Sequence, residues 1–225
     1  MGVMGLLIDS FAAPMFATNC WVLASEPGSE CVVIDPGMPD VSLALEEILQ
    51  RHNLKPVAVI ATHGHLDHTF SIQPIADGYA IPTYIHSEDR AYLSAPEKLL
   101  GIEFAATVAE MNFVEPAQVR ELRNGELVDL VGLSFKAIHA PGHTRGSLMF
   151  EVSEQVLVSG DVLFAGSIGR TDLPTGSAKE MGETLRKKVI PLADHLEVLP
   201  GHGPRTTMAQ EKKSNPYLKS LVGKH

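Results

Sequence analysis

The apolar run Val57-Ala58-Val59-Ile60 leads straight into Ala61-Thr62-His63-Gly64-His65-Leu66-Asp67-His68, so a strand-like segment ends in four side chains able to bind a metal. That juncture constrains the fold more than any other stretch. Imidazole and carboxylate suit borderline divalent ions such as Zn²⁺, and a loop leaving a buried strand can aim several side chains at one point. Gly64 removes the side chain that would crowd such a turn.

Three further candidates repeat one pattern of strand, glycine and ligand. Pro141-Gly142-His143 follows a strand ending at His139, Gly160-Asp161 closes another, and Pro200-Gly201-His202 follows the last. Each alone is a weak signal, but with the first cluster they supply enough groups for two ions sharing one carboxylate. The other histidines, at 52, 86, 139, 195 and 225, are expected not to bind metal. His52 suits the basic end of a helix, His86 a core rim, and His139 is expected to orient the His143 loop from behind. Asp35, in the turn Ile34-Asp35-Pro36-Gly37, serves either turn geometry or support of the metal loop.

Around these positions, residues 3–8, 17–24 and 30–35 read as a strand meander and 40–52 as a helix. A helix over 68–77 that stops at Gly78, a strand over 81–86 and a short helix over 88–95 follow. Residues 96–118 lack periodicity and are expected to form a flap or substrate-facing loop. Strands at 126–131, 133–139, 147–152 and 155–160, a helix over 178–189 and a strand at 195–199 complete the reading. Strands followed by helices in both halves suggest two sheets face to face with helices outside.

Composition narrows the functional classes. With 225 residues, 44% of them hydrophobic, the chain can bury a substantial core, and residues 1–225 read as one domain. A net charge of −9 argues against a nucleic-acid footprint. No basic leader and no stretch near the ~20 apolar residues of a membrane span are found, so a soluble cytoplasmic protein without membrane partners is the expectation. Cys20 and Cys31 lie in strand-like segments and read as buried thiols.

The ordered set Thr62-His63-Gly64-His65-Leu66-Asp67-His68, then His143, Asp161 and His202, resembles the metallo-β-lactamase superfamily over essentially the whole chain. Gly166-Ser167-Ile168-Gly169-Arg170-Thr171-Asp172 and the ending Gly201-His202-Gly203-Pro204 to Asn215-Pro216-Tyr217-Leu218 are similar to the small glyoxalase II-like hydrolases. The resemblance implies an α/β fold, a four-layer αβ/βα sandwich of two mixed β-sheets with outer helices and the site along one edge. It also implies that His63, His65 and His143 bind one metal, that Asp67, His68 and His202 bind the other, and that Asp161 bridges them. Two divalent ions, zinc or else iron or manganese, are the implied cofactors.

A binuclear site of this kind lowers the pKa of a shared water towards ~7 and polarises a carbonyl. Asp67 is expected to hold and orient that water. The expected substrate is a small-molecule acyl thioester of the hydroxyacylglutathione type, because a weakly basic thiolate leaves without a dedicated general acid. Arg170 either meets an anionic group of the substrate or is tied to Asp172. Lys212 and Lys213 read as a solvated helix face. The longer glyoxalase II enzymes carry a C-terminal helical domain that grips glutathione; the chain ends soon after His202, so loose selectivity for the thiol is the expectation. The true β-lactamases of the superfamily usually have Cys where Asp161 stands, which counts against that activity. The alternative is a persulfide dioxygenase, whose family shares these motifs but binds one Fe(II) through two His and one Asp, here His63, His143 and Asp161.

Overall fold

Adjacent residues of the inner strands are buried on opposite faces, which places them inside a layered core. In a computed structural model that describes residues 5–222 apart from 101–104, 107 and 109–110, Leu23, Val32 and Ile34 face one way, while Val22, Ala24 and Val33 face the other. Strands apolar on both faces need a covering layer on each side, and period-two alternation divides them between the two.

The first sheet has the order β1 (Leu7–Ala12), β2 (Asn19–Ala24), β3 (Glu30–Ile34), β4 (Lys55–Ile60), β5 (Thr83–His86) and β6 (Val119–Leu122). Its first three strands are antiparallel and the rest run parallel. The second sheet has the order β12 (Thr206–Thr207), β11 (Glu197–Pro200), β10 (Val156–Gly160), β9 (Leu148–Val152), β8 (Leu133–His139) and β7 (Leu127–Leu130). It is antiparallel except where β10 runs parallel to β11. Both sheets are therefore mixed.

Between the sheets, Ile34, Ile60 and Tyr84 pack against Phe135, Phe150 and Leu199. Outside the first sheet lie α1 (Ser42–His52) and α3 (Ile72–Tyr79), whose Leu45, Ile48 and Ile75 cover Val22 and Val59. Outside the second lie α5 (Ala178–Thr184), continued by a π-helical turn over Leu185–Val189, α6 (Met208–Ser214) and α7 (Pro216–Val222). Their Met181, Val189, Met208 and Leu218 cover Met149 and Val198. The architecture is the expected four-layer αβ/βα sandwich.

Several boundaries move for physical reasons. Among the described residues the first strand runs from Leu7 to Ala12, past the expected end at 8, because pairing with β2 and the bonds from Arg51 and His52 to Asp9 draw the polar Asp9-Ser10 pair into it; residues 3 and 4 of the expected strand lie outside the described residues. The helix expected over 68–77 is broken into α2 (Leu66–Thr69) and α3. Ser71 N donates to Gly37 O at 3.0 Å and Ser71 Oγ to Met38 O at 2.9 Å, which fastens the break to the loop after β3. Gly78 lies inside α3, which ends instead at left-handed Ala80. Strand β6 went unread because Val119-Arg120-Glu121-Leu122 carries two charges; parallel pairing with β5 forms it. Part of the expected flap, 101–104, 107 and 109–110, lies outside the described residues, as does His225. The described part joins α2 and α3 in lining an apolar cavity of about 350 Å³ that includes Leu66, Phe70, Tyr92, Leu93 and Phe113. Cys20 and Cys31 are buried free thiols. Among the described residues no helix is long and apolar enough to cross a membrane.

Candidate metal centre

Strand ends β4, β8, β10 and β11 deliver the seven ligand candidates of the sequence to one place. His63, His65, His68, His143 and Asp161 are buried, while the side chains of Asp67 and His202 keep 23% and 27% of their exposure and form the open side. His65 Nδ1 lies 2.7 Å from His143 Nε2, which lies 3.2 Å from His63 Nε2. A second group faces it: His68 Nε2 is 3.3 Å from His202 Nε2, and Asp67 Oδ2 is 3.2 Å from His202 Nε2 and 3.5 Å from His68 Nε2. Asp161 stands between them. Its Oδ1 is 3.4 Å from His68 Nε2, and its Oδ2 is 3.4 Å from His143 Nε2 and 3.5 Å from His202 Nε2.

Hydrogen bonds behind the rings fix which nitrogen faces inward. His143 Nδ1 donates to Arg170 O at 2.7 Å, and His68 Nδ1 donates to Asp35 Oδ2 at 2.9 Å. Thr62 Oγ1 gives its proton to Asp35 Oδ2 at 2.6 Å and accepts from His63 Nδ1 at 3.0 Å. Each bond turns Nε2 of that ring towards the centre, the atom a metal would take in its deprotonated form. Asp35, which also accepts from Thr62 N at 2.8 Å, thus supports the metal loop rather than only shaping its own turn.

The donor set fits divalent ions. Among the described residues three groups of three come close enough to share an ion: His63 with His65 and His143, Asp67 with His68 and His202, and Asp35 with His63 and His68. Their imidazole nitrogens and carboxylate oxygens match the ligand types of zinc and related ions. Asp161 Oδ1 is buried with no hydrogen-bond donor among the described residues, although a buried anionic oxygen is costly to leave without one. Burial, reinforced by the neighbouring rings, holds His63 well below its ordinary pKa and His65 at about 3, so both offer free lone pairs. Burial opposes charging of His68 and His202 too. There, however, the carboxylates of Asp161 and Asp67 outweigh it, joined at His68 by Asp35, and His68 rises to about 10. Burial would likewise raise Asp67, but His68 and His202 hold its carboxyl well below the usual range. Protons on these two rings balance the carboxylates that a bound cation would balance instead.

Other candidates fall elsewhere. Arg170 contributes its carbonyl to His143, while its exposed guanidinium is bidentate with Asp172 at 2.8 and 2.7 Å. Lys212 is held by Leu192 O and Asp194 Oδ1. His52 bonds Asp9, His195 bonds Glu154 O, and His86 caps the short helix α4 (Ser87–Arg90). His139 donates from Nε2 to Arg145 O at 2.7 Å and stacks on His86, so it braces the His143 loop from behind.

Sequence reasoning missed Thr18, Asn19 and Asp89. Thr18 Oγ1 donates to Asp67 Oδ2 at 3.2 Å, and Asn19 Nδ2 donates to Pro200 O and Gly203 O, holding the loop of His202. The partners of Thr18 and Asn19 are 49 to 184 residues away, and those of Asp89 25 to 57, so no local pattern carried the signal.

A family model described as the metallo-beta-lactamase superfamily matches residues 13–202. An uncharacterized protein of Mycobacterium tuberculosis is 43% identical over 223 residues, 96% of this chain and 99% of that one. Hydroxyacylglutathione hydrolase GloC of Haemophilus influenzae is 32% identical over 216 residues, 95% of this chain and 98% of that one. Among solved structures, BLEG-1 B3 metallo-beta-lactamase superposes with a TM-score of 0.82 at 32% identity, covering 94% of this chain and 99% of that one.

Proposed function

Because this chain belongs to the metallo-β-lactamase superfamily, we propose that it is a binuclear metallohydrolase that cleaves small acyl thioesters, including hydroxyacylglutathione-type substrates. The observation that carries this reading is the completeness of both donor groups with one carboxylate between them. The similarity to the hydroxyacylglutathione hydrolase of Haemophilus influenzae adds support. His63, His65 and His143 would hold one ion, Asp67, His68 and His202 the other, and Asp161 would serve both; zinc suits these ligands. Such ions supply a water acidified towards neutral pH and polarise a carbonyl.

The chain's own groups complete the chemistry. Asp67 Oδ2, restrained by the Thr18 hydroxyl, lies on the open side, where it would orient the attacking water. A thiolate leaving group asks for no further acid. Arg170 can reach an anionic substrate group by exchanging Asp172 for it, since both partners of that ion pair are exposed.

The dioxygenase alternative rests on the same geometry, because His63, His143 and Asp161 lie together. It leaves Asp67, His68 and His202 without a use, which favours the hydrolase. The test is metal analysis with a panel of one acyl group on several thiols, a β-lactam arm, and oxygen uptake with a persulfide. Thioester cleavage with two ions per chain supports the proposal. Iron-dependent oxygen uptake, or β-lactam cleavage, without thioester turnover under any metal overturns it.

A further inference from the structure

One carboxylate joins the two loops that build the first donor group. Asp89, on α4, is fully buried and has no cationic partner among the described residues. Its Oδ2 accepts from Gly64 N at 2.9 Å and from Thr144 Oγ1 at 2.6 Å, and its Oδ1 accepts from Gly146 N at 2.8 Å. Gly64 separates His63 from His65, and Thr144 follows His143, so the carboxylate bonds a residue adjacent to every member of that group.

We propose that Asp89 is a positioning residue for the first metal site, locking the His63–His65 loop against the His143 loop and so fixing the 2.7 Å approach of His65 Nδ1 to His143 Nε2. The proposal rests on the ligand assignment above. The His143 loop is shaped to admit this group: a Cβ on Gly146 would fall 2.5 Å from Asp89 Cγ and 2.6 Å from its Oδ1. Burial pushes the Asp89 carboxyl up while the bonds from Thr144, Gly64 and Gly146 oppose that push. Mere filling of space would be done as well by an apolar side chain, without the desolvation cost of a charge. Three convergent donors instead require two acceptor oxygens on one rigid group, which Asn cannot supply.

The experiment is stepwise Zn²⁺ binding by chelator competition, with Co²⁺ absorption spectra and melting of the metal-free protein. The step abolished by His65→Ala defines the first site, and the step abolished by His202→Ala the second. Asp89→Asn is expected to weaken the first step about 10–100-fold, the range for groups that orient ligands. It should also shift the Co²⁺ spectrum of that site while sparing the second step. Unchanged binding and spectrum in a folded Asp89→Asn protein, or equal loss at both sites, overturns the proposal. Should Asp89→Asn fail to fold, Thr144→Val, which removes one donor, carries the same test: a smaller loss confined to the first step is expected, and no selective loss overturns the idea. If His65→Ala leaves both steps intact, the ligand assignment fails instead.

Discussion

Asp161 Oδ1 and His68 Nε2 face each other at 3.4 Å, and this buried carboxylate oxygen has no hydrogen-bond donor among the described residues. Its other oxygen reaches His143 and His202 at 3.4 and 3.5 Å, so one side chain belongs to both donor groups.

Asp161→Asn should therefore weaken both metal sites together. The amide keeps the shape but removes the negative charge shared by the two groups, and ligand charge dominates affinity for a divalent ion. Metal analysis across a zinc titration checks this; two ions retained at wild-type affinity would rule out the shared carboxylate.

Asp35→Asn should lower zinc affinity about 10–100-fold without removing any donor atom. Asp35 takes bonds from Thr62 N, Thr62 Oγ1 and His68 Nδ1, and through them orients His63 and His68. An amide nitrogen in place of Oδ2 would confront two donors. The effect is measured by chelator competition, and wild-type affinity would show that the rings orient themselves.

Gly201→Ala tests how closely the backbone must approach the site. A Cβ there would run into Asp161 Oδ1 and stand 2.8 Å from His68 Cε1. Overpacking of this sort typically costs about 1–3 kcal/mol, and here the groups pushed aside are ligand candidates. Loss of metal together with a lower melting temperature is expected; a variant that loads two ions normally would contradict this geometry.

The metal-free protein should be most stable near pH 6.5. Burial, with the neighbouring rings, lowers His63 and His65, the latter to about 3, so their contribution is present above the unfolded value of about 6.5 and is lost as pH falls. His68 is the opposite case. Burial opposes its proton, but Asp161, Asp67 and Asp35 raise it to about 10, so its contribution is complete below about 6.5 and fades as pH rises through 10. Zinc should remove the alkaline loss, because it needs these rings deprotonated. Denaturant melts with and without chelator would show this; metal-free stability that climbs steadily from about pH 5 to pH 9 would refute it.

Much of the site was legible because its residues are local or sit after recognisable strands. His63, His65, Asp67 and His68 fall in one loop, and His143, Asp161 and His202 each follow a glycine at a strand end. The helix boundaries were less legible: Ser71, outside helical geometry, bonds Gly37 and Met38 from a distant loop, and Ala80 ends α3 two residues past the glycine that looked like the stop. Arg170 shows a different limit. Its side chain was the visible feature, yet its carbonyl is what touches His143.

The sequence by itself determined the kinds of groups present and the layered α/β character, since ligand chemistry belongs to residue type and strand periodicity is local. Only the tertiary structure decided which nitrogen of each ring faces the centre, and that Asp35, Thr18 and Asp89 bond the ligand candidates or the loops that carry them. Those facts depend on hydrogen bonds and approaches between segments remote in the chain, such as Thr144 to Asp89 across 55 residues, and chain order alone carries no record of them.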